Sequence, residues 1–368
     1  MHKLGIVILN WNGSDMMRKY LPSVIANSIG DVIVADNAST DDSLKMLASE
    51  FPTLRTIVLD KNYGFAEGYN RALAQLKDEY EYLVLLNSDV EIRQKDWDKI
   101  LLSYMEEHPE CAACMPKLLK LTSPTPSQGG EPQASRYQTE SNPDGITPPL
   151  EGTGEVFEYA GAAGGYLDKY GYPFCRGRIM DTVEKDNGQY DTIRPILWAT
   201  GACLLIRTSD YFNAGGLDSR FFAHMEEIDL CWRLRLMGRS IVCIPQSTAY
   251  HLGGASLNYG NPRKTFLNFR NSLWMLYKNL PQSELHSVLT MRFILDMVAA
   301  LKFLLTLQGS HAWAIIRANK EFYSTLNRWR DDRHKVQSSR RATNIPERTN
   351  YSILFKYYLK GAKTFDKL

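Results

Sequence analysis

Cysteine is scarce in this chain and does not build a disulfide framework: six residues, at 111, 114, 175, 203, 231 and 243, are scattered over 368 positions. Several sit inside apolar runs, so they read as reduced, buried thiols. Cys111-Ala-Ala-Cys114 is a lone C-x-x-C without a second pair at zinc-site spacing, and neither metal nor redox work is expected of it. A signal peptide is expected to be lacking, because "GIVILNWNG" turns polar too soon and has no cleavage site. So is an uncharged spanning segment: "LHSVLTMRFILDMVAALKFLLTLQG" is strongly apolar, but Arg292, Asp296 and Lys302 interrupt it. Net charge is only +2. From Arg292 to the end, however, fifteen Lys/Arg face six Asp/Glu, so residues 1–291 carry about minus seven. With the basic residues confined to the tail and no known module beside them, a nucleic-acid partner is not expected.

What is present is a globular composition, 44% hydrophobic and 23% charged, with ample material for a core. Short apolar runs alternate with helix-like stretches: "LGIVILN", "DVIVADN", "LRTIVLD" and "YLVLLNSDV", then "QKDWDKILLSYMEEH" and "ECAACMPKLL". Ser39 or Thr40 is placed to cap the helix in "STDDSLKMLASEF". Such alternation predicts an α/β fold, a mostly parallel sheet with helices on both faces. Ligands of such sheets sit outside the carboxyl ends of the strands. Here those ends are polar: Asn10-Trp11-Asn12, Asp36-Asn37, Asp60-Lys61-Asn62 and Asn87-Ser88-Asp89. Residues 122–156, rich in Ser, Pro, Gly and Thr, read as a mobile loop or insertion. "FEYAGAAGGYLDKYGYPFCRGR" is dense in Gly and aromatics and reads as a pocket wall. "ILWATGACLLIR" reads as a buried strand, and "GGLDSRFFAHMEEIDLCWRLRLMG" as a loop and a helix with Leu230, Leu234 and Met237 on one face, ended by Gly238.

In order, "VILNWNG", "VADNASTDDS", "NYGFAEGYN", "LLNSDV", "GACLLIR", "GGLDSRFFAHMEEIDLCWR" and "HLGGAS" resemble the family-two glycosyltransferases, in particular their rhamnosyltransferase-like branch from bacterial surface-polysaccharide synthesis. The resemblance covers about residues 1–270. It implies the GT-A (nucleotide-diphospho-sugar transferase) fold as a catalytic domain over 1–270, followed by a C-terminal helical, basic extension over 271–368. The implied activity is inverting, divalent-metal-dependent transfer of a sugar from a nucleoside diphosphate (dTDP-, UDP- or GDP-sugar) to a hydroxyl of a growing or polyprenyl-diphosphate-linked glycan.

The resemblance also implies roles for residues. Asn87-Ser88-Asp89 stands where the family has Asp-x-Asp, so Asp89 would ligate Mg²⁺ or Mn²⁺, with Asn87 replacing the first carboxylate. His251 matches a position that supplies an extra ligand in some relatives. Asp36 matches the base-reading aspartate, and Asn10, Asn12, Asn62 and Gly64 would line the same nucleotide pocket with Ser88. "HMEEIDLCWR" stands where relatives read Glu-Asp-x-Asp. Glu227 would be the catalytic base, Glu226 the second choice, and Asp229 an orienting or capping group. All three also suit a helix N-terminus, whose positive end favours anions. Arg233 would pair with these acids or with phosphate. Arg263, Lys264 and Arg270 would close over the diphosphate or form a solvated helix face.

The apolar stretch from Leu285, "HAWAIIRANKEFYSTLNRWR" and "SILFKYYLKGAK" read as basic amphipathic helices. These either lie on an anionic membrane or pack on the catalytic domain, giving a cytoplasmic protein that is peripheral on the inner membrane in the first case. Two competing functions remain. A sugar nucleotidyltransferase would need a Gly-rich, basic signature that "VILNWNGSD" lacks. A catalytically silent nucleotide- or glycan-binding protein is favoured only by the Asn87 and Glu227 departures.

Overall fold

A computed structural model of the chain describes residues 2–121, 155–253 and 261–368. Most of the expected insertion at 122–156, and the end of "HLGGAS", lie outside the described residues. The first part runs β1 (His2–Asn10), α1 (Ser14–Asn27), β2 (Asp31–Asp36), α2 (Ser43–Glu50), β3 (Arg55–Val58), α3 (Gly64–Leu76), β4 (Tyr80–Asn87), β5 (Val90–Glu91), α4 (Trp97–Glu107) and β6 (Cys111–Lys120). Short strands β7 (Gly165–Leu167), β8 (Pro173–Cys175), β9 (Arg178–Ile179), β10 (Thr182–Val183) and β11 (Arg194–Pro195) follow. Then come β12 (Cys203–Arg207), α5 (Thr208–Asn213), α6 (Glu226–Leu236) and β13 (Ser240–His251). The chain ends in helices: α7 (Pro262–Asn279), α8 (Gln282–Leu305), α9 (Gly309–Thr325), α10 (Arg330–Ser338) and α11 (Ile353–Tyr358). The expected division at residue 270 falls inside α7.

Among the described residues the main sheet has nine strands, ordered β11-β13-β6-β12-β4-β1-β2-β3, with β5 on β13. β4, β1, β2 and β3 are parallel, as are β6 and β13, whereas β12 runs antiparallel to both β4 and β6 and joins the two blocks. Leu83 to Leu86 of β4 are fully buried because helices cover both faces, which is why that strand reads as a continuous apolar run. In α3 the buried residues Ala66, Tyr69, Leu73 and Leu76 recur every three or four positions and turn one side to the sheet. Register places Asn10 beside Asp36, and Leu9 beside Asn87. One rim therefore collects the ends of β1, β2 and β4.

Two local expectations fail. Neither Ser39 nor Thr40 caps α2, which begins at Ser43; Ser39 Oγ instead accepts from the Asn12 amide at 2.9 Å. In "ILWATGACLLIR" only Cys203–Arg207 is strand, since Ile196 to Thr200 pass alongside the glycine-rich segment. That segment forms a small antiparallel sheet of β7 to β10, and what its glycines admit is protein: a Cβ on Gly165 would stand 2.1 Å from the Trp198 ring. The close neighbour is an indole. All six cysteines are buried and unpaired, and burial pushes the Cys111 thiol up to about 11 and Cys114 well above its ordinary value.

Candidate active site

The rim is tied together before any ligand is considered. Asn10, buried at the end of β1, donates through Nδ2 to Asp36 Oδ2 at 3.0 Å. Asp36 Oδ1 accepts the Ser39 amide at 2.8 Å. Asp36 is fully buried, and each of its oxygens takes one of these hydrogen bonds, so it braces the β1 and β2 loops. Asn12, in the left-handed region at φ 50°, accepts the Thr40 amide at 2.7 Å, and Asn62 Oδ1 accepts the Gly64 amide at 2.8 Å and Asn37 Nδ2 at 3.1 Å. Both asparagines shape turns. Gly13 marks where the loops converge: a Cβ there would lie 2.5 Å from Asn10 Oδ1 and 3.9 Å from Ser88 Oγ. Asn10 Oδ1 is buried without a partner. Such an acceptor costs about 1–3 kcal/mol unless something satisfies it.

At the end of β4 the chain brings together the two expected metal ligands. His251 Nε2 stands 3.2 Å from Asp89 Oδ1 and 3.3 Å from Asn87 Nδ2. On the other ring nitrogen a residue that sequence reasoning missed appears: Glu158, whose carboxylate lies 3.4 Å from Nδ1. Glu158 is buried and its other oxygen accepts the Ala160 amide. Gly253, at φ +68°, leaves room for it, since a Cβ would stand 2.8 Å from Glu158 Oε1. Burial works to strip the proton from His251, but Asp89 and Glu158 outweigh it and push the imidazolium up to about 10. Burial likewise works to raise Asp89, and the histidine contact holds its carboxyl below the usual range. One carboxylate oxygen and, once an arriving cation displaces the Nε2 proton, one imidazole nitrogen are suitable ligands for a divalent cation. Among the described residues no three His, Cys, Asp or Glu side chains converge to hold a metal alone. The pair therefore fits a cation completed by phosphate oxygens and water, the usual arrangement for Mg²⁺ at phosphate sites.

The acids of α6 are one loop away from this pair. The Asn87 amide donates to the Ala202 carbonyl at 3.0 Å, and Gly201 beside it faces Glu227, whose Cβ would be 3.8 Å from a Cβ on that glycine. Glu226 is buried with Oε2 unpartnered, and Glu227 is half-buried with its own Oε2 unpartnered. Burial, then the neighbouring Glu227, pushes the Glu226 carboxyl well above its ordinary range, and burial raises Glu227 as well. Two desolvated acids side by side cannot both ionise cheaply. Asp229 differs. Fully buried, it accepts from Arg233 Nε at 2.9 Å, Lys278 Nζ at 2.9 Å and Asn279 Nδ2 at 2.8 Å, fastening α6 to α7. It neither caps α6 nor faces the rim, because three donors enclose it. Arg233 is committed to Asp229 and to the Ala214 and Gly216 carbonyls.

The loop before α6 is held in a costly shape. Phe222, His224 and Met225 all have positive φ, at 68°, 70° and 75°. Asn271 of α7 clamps it, with Nδ2 within 2.9 Å of the Phe221, Ala223 and His224 carbonyls. His224 is driven down to about 4, first by burial and then by Lys264. At the start of α7 the Arg263 guanidinium lies 4.8 Å from the Phe222 ring centre, and that ring lies against Gly64. Arg263 thereby joins α7 to the α3 loop. Arg270 does not reach the rim: it pairs with Glu321 of α9 at 2.9 Å and stacks on Trp274.

Residues 5–151 match the model described as Glycosyl transferase family 2. This chain carries a family-two glycosyltransferase domain and is a glycosyltransferase. It is 25% identical over 259 residues to the N-acetylglucosaminyl-diphospho-decaprenol L-rhamnosyltransferase of Mycobacterium tuberculosis, covering 67% of this chain and 75% of that protein. It is 22% identical over 251 residues to the rhamnosyltransferase WbbL of Escherichia coli, covering 67% and 82%. The solved structure of GalNAc-T7 with UDP, GalNAc and Mn²⁺ shares the fold, with a TM-score of 0.52 at 14% identity over 76% of this glycosyltransferase, which spans about half (48%) of that chain. The fold is GT-A, a mostly parallel sheet flanked by helices with a helical C-terminal region.

Proposed function

We propose that this glycosyltransferase is inverting and divalent-metal-dependent, and moves a hexosyl or deoxyhexosyl group from a nucleoside-diphosphate donor to a hydroxyl of a lipid-linked glycan. The observation that carries the reading is the placement of Glu227 one loop away from the Asp89–His251 pair. In a direct displacement the acceptor oxygen attacks the anomeric carbon while the bond to the diphosphate breaks and the nucleoside diphosphate leaves with the electron pair. The attacking hydroxyl must lose its proton on the face away from the leaving group. Burial raises both carboxyls, and Glu226, the more buried of the two, is raised further, which supports Glu227 as the acid of the pair that ionises and takes that proton. Asp89 and His251 would hold Mg²⁺ or Mn²⁺, which when bound would act as a Lewis acid on the departing diphosphate. Glu158 faces the other nitrogen of the His251 ring at 3.4 Å, where it would favour the ring orientation that offers Nε2 to the cation.

Asn10 Oδ1, Ser88 and Arg263 supply an acceptor, a hydroxyl and a cation around the donor loops, while Asp36, Asn12, Asn62 and Gly64 set the loop shapes. The rhamnosyltransferase relatives, one of them named for a diphospho-decaprenol substrate, support a deoxysugar donor and a polyprenyl-linked acceptor. The GalNAc-T7 structure, solved with UDP and Mn²⁺, supports the metal. An acceptor of that kind sits at a membrane surface.

Glu227→Gln is the test. Turnover should fall about 10²–10⁴-fold, the usual worth of a general base. Stabilisation by nucleoside diphosphate with Mn²⁺, read by thermal shift, should persist. Unchanged turnover removes Glu227 as the base, and release of pyrophosphate in place of nucleoside diphosphate makes the enzyme a nucleotidyltransferase.

A further inference from the structure

Helix α8 is built inside out. Its buried side carries Leu285, Val288, Arg292, Asp296 and Ala300, and the pair Arg292–Asp296, 2% and 0% exposed, meets at 3.4 Å. This charge is closed off by protein: Arg292 donates to the Tyr170 carbonyl at 3.0 Å and Ser272 Oγ at 2.8 Å, and Asn319 of α9 donates to Asp296 at 3.1 Å. The hydrocarbon is on the outside. Met291, Ile294, Val298, Leu301 and Leu305 are exposed at alternating steps of three and four, widened by Phe293 and Leu304. At about 100° per residue they cover roughly 160° of the helix circumference. That is far wider than the two-position seam of a coiled coil. The face climbs towards the α8–α9 turn, where Leu305 is 75% and Leu307 94% exposed.

The face continues onto its neighbours. Phe293 meets the exposed Tyr323 ring of α9 at 6.1 Å, and Lys302 lies 5.9 Å from the Tyr358 ring of α11, beside exposed Phe355 and Leu359. Residues 297–320 and 351–365 together contain Lys302, Arg317, Lys320, Lys356, Lys360 and Lys363, and no Asp or Glu. Asp181 near Tyr358, Glu321 paired with Arg270, and Asp366 are acids at the margin. Among the described residues no helix is long and apolar enough to cross a membrane. A broad hydrocarbon face with cations along it and no acid within it matches one surface, the headgroup boundary of an anionic bilayer.

We propose that the α8–α9 hairpin, with α11 beside it, is a docking face that lies in the interface of a membrane containing anionic lipid. The hairpin tip is fastened to the catalytic end of the molecule. His311 at the start of α9 stacks on Phe303 at 5.1 Å and bonds Thr265 Oγ1 of α7 at 2.8 Å. The preceding residue, Lys264, lies within electrostatic reach of His224 and Glu158. Docking therefore brings the mouth of the site to the plane in which a lipid-linked acceptor lies. The acceptor's identity rests on the proposed function; the face itself does not.

Flotation of the purified full chain with phosphatidylcholine vesicles, with and without phosphatidylglycerol, tests it. The protein should float with the anionic vesicles, and replacing Lys302, Lys356 and Lys360 by Gln should weaken this roughly a hundredfold. Leu301→Glu with Leu305→Glu should abolish flotation while donor hydrolysis and helical circular dichroism stay unchanged. A double variant that floats as well as the parent overturns the proposal. So does a parent that floats with neither vesicle, and one that sediments as a dimer which the double variant dissociates assigns the face to a second copy of the chain. Failure of turnover on every acceptor, with flotation intact, would instead sink the proposed function and leave the face standing.

Discussion

Asp229 offers the sharpest separation between an acid that reacts and an acid that holds the frame. It lies two residues from Glu227, on the same turn of α6, yet it is 0% exposed and ringed by Arg233, Lys278 and Asn279. Removing one partner of a buried charge network costs about 3–5 kcal/mol, because the remaining charges are left uncompensated. Here the lower end applies. Lys278 keeps Asp218 at 2.7 Å, and Arg233 keeps the Ala214 and Gly216 carbonyls. Asp229→Ala should therefore lose about 3 kcal/mol. For a chain of this size each kcal/mol shifts Tm by about 2 °C, so the midpoint should fall by roughly 6 °C. Assayed well below that midpoint, turnover should drop less than about tenfold, since α6 still presents Glu227. Glu227→Gln should do the reverse, keeping Tm and losing turnover. Differential scanning calorimetry and an initial-rate assay on the two variants decide the matter. Should Asp229→Ala keep its Tm and lose its activity, the division of roles along α6 is wrong.

Gly165→Ala should destabilise by about 1–3 kcal/mol or more through overpacking against Trp198, visible in urea denaturation, whereas a ligand-lining glycine would show its loss in KM. Glu226 makes stability fall with pH. Its native carboxyl stays protonated above the ordinary value of 4.5, so its contribution is intact below that pH and is lost as pH rises through the raised value. Glu226→Gln should hold its Tm better than the parent from pH 5 to 9; parallel curves refute this reading. Asn271→Ala frees three carbonyls of the loop at 221–224, two of which its amide hydrogens can satisfy at once. Turnover should fall more than donor affinity, since the loop aims Glu227 and leaves the Asp89–His251 pair untouched; an equal loss in both would place the effect elsewhere.

The rim was legible because it is a property of local chemistry repeated on parallel strands. Each strand of the first block reads as a buried apolar run that ends in Asn or Asp, and parallel registration aligns those ends without further instruction, Asn10 beside Asp36 and Leu9 beside Asn87. What escaped depends on pairing between distant segments. β12 reads like any buried strand, and nothing in "GACLLIR" says that it runs against β4. Glu158 follows a long stretch without apolar periodicity and reaches His251 only because β6 and β13 pair side by side. A Gly-rich segment announces close approach but not to what, and here the neighbour is Trp198. Asp36 and Asn12 were recognisable as rim residues, yet an Asn that lines a pocket and an Asn that braces a turn share one sequence signature.

Helix α8 shows the same gap in a sharper form. Hydrophobic periodicity assigns the apolar arc to the core and the charges to water, and α8 reverses both. The reversal follows from partners that periodicity does not contain: the Tyr170 carbonyl, Ser272 and Asn319 give Arg292 and Asp296 a satisfied interior, so burying them leaves no orphaned charge. A salt bridge so enclosed adds little net stability over hydrocarbon of the same volume. What it does fix is rotation. With Arg292 held by α7 and the β7–β8 turn, and Asp296 by α9, α8 has one setting about its axis, and that setting turns Met291, Ile294, Val298, Leu301 and Leu305 outward. An apolar core face would have allowed the helix to roll and bury those side chains. The charged interior keeps the hydrocarbon at the surface, where a bilayer can reach it.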